Sequence, residues 1–188
     1  MIATAWPCAP GNRGAPGVRD NGQVPLTPPT SDAFRQAMGR FATGVTVVTT
    51  RTGDIDHAMT ANGVLSVSLD PMMLLVSVEQ EARWHDAVLE AGRWGVSILS
   101  AHDRATALWL ATRGRPLHDQ LARVPVVRGA ATGVALLGNA LATIECQTVN
   151  AVPAGDHTLV VGEVLSVEIA DHPGDALLFY RGGFAALT

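Results

Sequence analysis

The 188 residues contain no lysine; all 13 basic residues are arginine. A lysine Schiff base and a P-loop lysine are both excluded by that absence. Cysteine is nearly as scarce. Cys8 and Cys146 are far apart and form neither a metal-ligand spacing nor a disulfide framework, so a reducing cytoplasm is the expected compartment. Charged residues make up only 16% and the formal net charge is −4, which argues against a nucleic-acid partner, since phosphate backbones require a clustered positive patch. No apolar run approaches the roughly 20 residues of a membrane span. The first residues carry no basic cluster ahead of an apolar stretch, so no secretory signal is expected. Gly-x-Gly-x-x-Gly and Gly-x-Ser-x-Gly are both missing, which removes support for a Rossmann site and for an α/β-hydrolase elbow. The six histidines form no His-x-x-x-His and no Cys/His cluster, so no metal site is expected. His85-Asp86 and His102-Asp103 read as surface polar pairs, because adjacent residues on a helix face different ways.

What is present is ample core material, 47% apolar residues in a chain the size of one domain. Residues 1–30 are crowded with proline and glycine, lack an apolar period and read as a flexible arm. Residues 31–188 read as the folded domain. It opens with a helix capped by Ser31, with Phe34, Met38 and Phe41 on one face. Strands are expected over Val45–Thr50, Met59–Ser68, Met73–Val78, Trp94–Leu99, Ala140–Thr148, Thr158–Ile169 and Leu177–Tyr180. Helices are expected over Trp84–Glu90 and from His102 to about Arg113, the latter with Gly114 as C-cap. Strands dominate and short turns join them, which favours an antiparallel β-barrel with a few peripheral helices over a doubly wound sheet.

Two segments place small polar residues on apolar strands. In Thr60-Ala61-Asn62-Gly63 and Ser66-Val67-Ser68-Leu69-Asp70-Pro71, hydroxyls and an amide lie among Val and Leu. Such a lining suits a flat, polar-edged ring system with a phosphate tail; it equally suits a strand with one solvated face. Gly155-Asp156-His157 opens a strand containing Gly162. It reads either as a ligand contact at a barrel mouth or as a turn followed by a bulge.

In this order, the segments resemble the flavin reductase-like family with the FMN-binding split barrel, from about Phe34 to Leu187. The resemblance is carried by the run Phe34 to Thr50, by Met59-Thr60-Ala61-Asn62, by Ser66 to Pro71, and by Gly95 to Ser100. Ile144-Glu145-Cys146, Gly155-Asp156-His157 with Gly162-Glu163-Val164, and Tyr180 to Phe184 complete it. The family implies a mainly β, antiparallel split barrel that works as a homodimer. It also implies hydride transfer from NADH or NADPH to FMN or FAD, with reduced flavin passed to a partner monooxygenase. Thr60, Ala61 and Asn62 are then expected along the isoalloxazine edge, with Ser66, Val67 and Ser68 nearby. Ser97 is expected toward the ribityl-phosphate, His157 on the nicotinamide side as the catalytic position, and Arg181 and Phe184 near the entrance. Ala82-Arg83-Trp84 departs from a Ser-x-Thr that in many members offers hydroxyls to the phosphate. Two alternatives stay open: an enzyme that retains its flavin for a biosynthetic step, and a barrel that only binds.

Overall fold

The computed structural model describes residues 28–171 and 174–187. The proline- and glycine-rich arm expected over residues 1–30 lies outside the described residues as far as residue 27. Helix α1 (Ser31–Met38) is capped by Thr30, not Ser31: the Thr30 backbone is extended and its hydroxyl accepts from the Ala33 N–H at 3.2 Å.

Twelve strands follow or interleave with two further α-helices among the described residues. They are β1 (Thr43–Gly44), β2 (Thr46–Thr52), β3 (Ile55–Ala61), β4 (Val64–Leu69) and β5 (Met72–Glu79). After α2 (Arg83–Ala91) come β6 (Arg93–Ile98), a 3₁₀ turn (Ala101–Asp103) and α3 (Arg104–Ala111). The chain ends with β7 (Val126–Arg128), β8 (Ala135–Leu137), β9 (Ala142–Ala154), β10 (His157–Ile169), β11 (Leu177–Tyr180) and β12 (Gly183–Ala186). Seven strands pair antiparallel in the order β3-β2-β6-β9-β10-β5-β4. A mainly β, antiparallel barrel with peripheral helices is therefore what the chain builds.

Several expectations need correction. Met59–Ser68 is two strands, broken at Asn62-Gly63, because β3 pairs with β2 while β4 crosses to β5. Helix α3 ends at Ala111 with Thr112 as its cap, so Gly114 serves the following loop, where its φ is +76°. The hairpin β7–β8 and strand β12 were not expected. β7 and β8 are three residues each, too short to carry a pattern, and β12, Gly-Phe-Ala-Ala, lacks the continuous apolar run that marks the equally short β11.

Two cores lie on opposite faces of the sheet. Val48, Val76, Trp84, Trp94, Val96, Cys146 and Val160 fill the barrel interior. Val45, Val47, Ala58, Leu99, Ala107, Leu110, Leu137 and Leu177 form a second cluster, where α3, the β7–β8 hairpin and β11 cover the outside of β2 and β3. Alternation along β2 sends Val48 inward and Val47 outward, and both are wholly buried.

Two glycines permit this packing. A Cβ on Gly162 would stand 2.6 Å from the Trp94 ring, and the β9–β10 register shifts between Val161 and Gly162. Close approach and a bulge thus occur at the same residue. A Cβ on Gly95 would stand 2.5 Å from Leu136 of the covering hairpin. That hairpin is also tied by a buried carboxylate: Glu145 accepts from the Thr132 N–H at 2.7 Å, the Thr132 hydroxyl at 2.6 Å and the Ala131 N–H. Burial, with Glu145 alongside, pushes the neighbouring Cys146 thiol up to about 12, so it is inert at neutral pH.

Candidate active site

A cleft of about 490 Å³ opens where the end of α3 and the loop after it face β3, the end of β5 and the start of α2. Met59, Trp84, Leu110, Ala111 and Leu117 supply its apolar wall. Arg83, Arg113, Arg115, Glu79, Glu81, His57 and Gln120 supply its polar groups. At the floor of the cleft Thr60 ties β3 to α3, its hydroxyl donating to the Ala107 carbonyl at 2.7 Å. Arg115 fixes the loop after α3. It donates to the Thr112 carbonyl at 2.9 Å, to Gln120 Oε1 at 3.2 Å and to the Ala58 carbonyl. Arg113 reaches across to Glu79 on β5 at 2.6 Å.

Burial, and after it the charge of Arg83, holds the His57 pKa below its ordinary value. Its Nε2 meets the Thr52 hydroxyl at 2.8 Å, while its Nδ1 is buried without a partner among the described residues. His85 is not a surface residue. Its side chain is 12% exposed, with Nε2 on the Thr158 hydroxyl at 2.9 Å and Nδ1 on Asp86 at 2.7 Å. That pairing joins α2 to β10 and carried no local signal in the sequence.

The residues singled out from sequence are dispersed. Thr60 lines the cleft. His157 stands beside it: it is paired across the sheet with Glu79, and its carbonyl accepts from Gln80 Nε2 at 3.2 Å. Its ring Nδ1 lies 2.7 Å from Asp156, and this bond, followed by the charge of His157, lowers the Asp156 pKa. Ala61 is buried and its carbonyl accepts from the Thr46 hydroxyl at 2.7 Å. Asn62, Ser66, Val67 and Ser68 lie at the exposed β4 edge of the large sheet, outside the cleft lining. Ser97, expected toward a phosphate tail, is wholly buried in this chain, and its hydroxyl accepts from the Leu137 N–H at 3.0 Å. It docks the β7–β8 hairpin and does not open on the cleft. Arg181 and Phe184 belong to the separate β1-β11-β12 sheet. Arg181 has φ +50° in the β11–β12 turn and stacks over Tyr180 at 5.5 Å. Phe184 packs edge-on against Phe179 at 5.7 Å. Sequence reasoning missed Arg113 and Arg115, since isolated arginines in a loop have no diagnostic spacing.

A second groove, of about 750 Å³, runs along Trp109, Pro116, His118 and Val124; none of the residues singled out from sequence lines it. Among the described residues no cluster of three or more His, Cys, Asp or Glu side chains is arranged to hold a metal. No helix among them is long and apolar enough to cross a membrane.

Residues 38–188 match the family model described as "Flavin reductase like domain". The chain is 37% identical over 171 residues to an NADH-dependent FMN reductase of Streptomyces nodosus subsp. asukaensis, covering 90% of this chain and 89% of that one. It is 33% identical over 157 residues to the reductase component of 4-hydroxyphenylacetate 3-monooxygenase from Thermus thermophilus, covering 84% and 97% respectively. Among solved structures, the flavin reductase component of a bacterial two-component tryptophan halogenase superposes with a TM-score of 0.79 at 46% identity. That match covers 84% of this chain and 98% of the other.

Proposed function

The chain belongs to the flavin reductase-like family, and on that premise we propose that it is an NADH-dependent flavin reductase. It takes FMN or FAD as its flavin and supplies the reduced form to a separate monooxygenase. The observation that carries this reading is the composition of the cleft. A wall of Met59, Leu110, Ala111 and Leu117 stands beside the cations Arg83 and Arg115. An apolar wall suits a flat ring, and cations beside it suit an anionic tail, so the residues present fit a flavin.

When flavin and nicotinamide are bound, they supply the chemistry themselves, a hydride moving from nicotinamide C4 to flavin N5. What remains for this chain is positioning, exclusion of water, and fixed positive charge where negative charge develops. No general base is required, which agrees with a cleft that pairs no nucleophile with a base.

The remaining site residues enter as parts of the same proposal. Thr60 borders the ring through the strand that it anchors. His157, beside Glu79 at the edge of the cleft, takes the nicotinamide side. The outer face of β4, β5, β10 and β9 supports a homodimer. The cross-strand register puts Leu65, Leu75 and Val161 in one row and Leu159 beside Val152 in the next, and Leu65 is 61% exposed. On α1, Phe34 and Met38 add an unburied apolar pair. Asn62, Ser66, Val67 and Ser68 border that face, so a second copy brings them to a flavin held near the subunit interface. Arg181 and Phe184, which lie on the β1-β11-β12 sheet outside the cleft lining, keep the entrance role that the family resemblance assigns them. The unpaired, buried Cys146 agrees with a cytoplasmic setting.

The test is NADH consumption by the purified protein with FMN or FAD added in large excess. Repeated turnover of the added flavin is expected. A coloured protein that reduces only its own bound flavin once would favour a flavin-retaining enzyme, and no flavin-dependent consumption would leave a binding module.

A further inference from the structure

Strands β9 and β10 form the longest hairpin among the described residues, 13 residues a side. Strand β6 accompanies β9 only as far as the pair Arg93 and Gln147. Beyond it, the hairpin end from Thr148 through Gly155-Asp156 to His157 has β5 as its one flanking strand among the described residues. Hairpin ends fray unless they are tied down. Two residues tie this one, Gln80 between β5 and α2 and His85 within α2. The Gln80 amide donates to the His157 carbonyl at 3.2 Å, and the Gln80 N–H to the Asp156 carbonyl at 3.0 Å. His85 Nε2 meets the Thr158 hydroxyl at 2.9 Å on the buried face of β10, where Thr158 is 5% exposed.

The two histidines on this path are oriented alike. The Asp86 carboxylate lies 2.7 Å from His85 Nδ1, and the Asp156 carboxylate 2.7 Å from His157 Nδ1. A carboxylate only accepts, so each Nδ1 carries the proton and Nε2 of the neutral ring is an acceptor. On His85 that acceptor takes the Thr158 O–H. On His157 it meets no partner among the described residues, which leaves it to a ligand. Side chains alternate along a strand, so Thr158 and His157 stand on opposite faces. The bond on one face thus fixes the strand that carries the ring on the other.

We propose that His85 is a positioning residue for His157: through the Thr158 hydroxyl it holds the hairpin end so that His157 meets the nicotinamide in a fixed place. This inference rests on the flavin-reductase reading and its placement of His157. The wall assigned to the flavin, Met59, Leu110 and Leu117, belongs to β3, α3 and the loop after it. The His85 bond holds none of these, so its loss is expected to fall on NADH and to spare the flavin.

Steady-state kinetics in NADH at saturating FMN, with FMN titrated separately by fluorescence quenching, test the inference. His85→Ala is expected to raise KM for NADH about threefold, with kcat and FMN affinity within about twofold of the wild type. His85→Gln, whose amide can meet the Thr158 hydroxyl, is expected to restore most of the loss. In a His157→Ala background, His85→Ala is expected to raise KM no further, because two residues that act through one contact are not additive. A full threefold rise in that background, an unchanged KM for His85→Ala, or FMN affinity falling in step with KM would overturn the inference while the wild type remains a flavin reductase. If His85→Ala does not fold, Thr158→Val enters the same cycle; failure of both to fold would assign the bond to stability alone and overturn the inference as well. A wild-type KM in His157→Ala would remove the placement of His157 and this inference with it. Absence of NADH consumption by the wild type with either flavin would instead remove the functional reading itself.

Discussion

In β2, Val47 and Val48 point to opposite faces and are both fully buried. In β4, Leu65 is 61% exposed and Leu69 86% exposed, although both strands belong to one continuous sheet. The difference comes from what covers each outer face. The β2–β3 half is roofed by α3, the β7–β8 hairpin and β11, and that roof forms one wall of the cleft. The β9-β10-β5-β4 half has no roof among the described residues. The covered half thus supplies most of the strand wall of the cleft, joined there by the end of β5, while the other half leaves an apolar face exposed, the face assigned above to the proposed homodimer.

The largest expected effect compares the halves directly. Val47→Asp places an unpaired charge in the covered half and is expected to cost more than about 4 kcal/mol, enough to unfold the domain in a thermal melt. Leu65→Asp on the open half is expected to leave the fold within about 1 kcal/mol. Light scattering is expected to show it at half the mass of the wild-type assembly. Comparable destabilisation by the two would break the distinction. Gly162→Ala follows: it forces a methyl against Trp94 inside the barrel and is expected to cost about 1–3 kcal/mol in urea unfolding. His157→Ala is expected to raise KM for NADH about fivefold with kcat nearly unchanged, as removal of one binding contact requires. A large fall in kcat in steady-state assays would give His157 a different role.

The smallest effect is on pH dependence. His57 has a folded pKa below its ordinary 6.5 because of burial and Arg83. The unfolded chain therefore takes up a proton before the folded chain does. The stability this provides is present above pH 6.5 and is lost as pH falls through the folded value. Thermal melts are expected to show a shallower decline on acidification for His57→Gln than for the wild type.

The strands with long β-branched or aliphatic runs, β2, β5, β10 and the first half of β9, were legible in the sequence, because period and composition are local properties. The break at Asn62-Gly63 was not, since it depends on which neighbours β3 and β4 choose. The β7–β8 hairpin was hidden for a similar reason. Its strands are three residues each, and it is held by Glu145 and Gly95 from distant strands. Of the residues lining the candidate cleft, Thr60 lies in a motif the sequence singles out. Arg113 and Arg115 were not found, because their convergence on Glu79 and Ala58 is a product of the fold. Ser97 illustrates an ambiguity that no pattern resolves: a hydroxyl on an apolar strand reads the same whether it meets a ligand or, as here, a backbone N–H.

The most direct test of the account is a crystal structure of the protein soaked with FMN. Density for the ring against Met59 and Leu110, with the phosphate between Arg83 and Arg115, is the predicted result. Density confined to the groove beside Trp109 and Pro116, with the cleft between α2 and α3 empty, would contradict it.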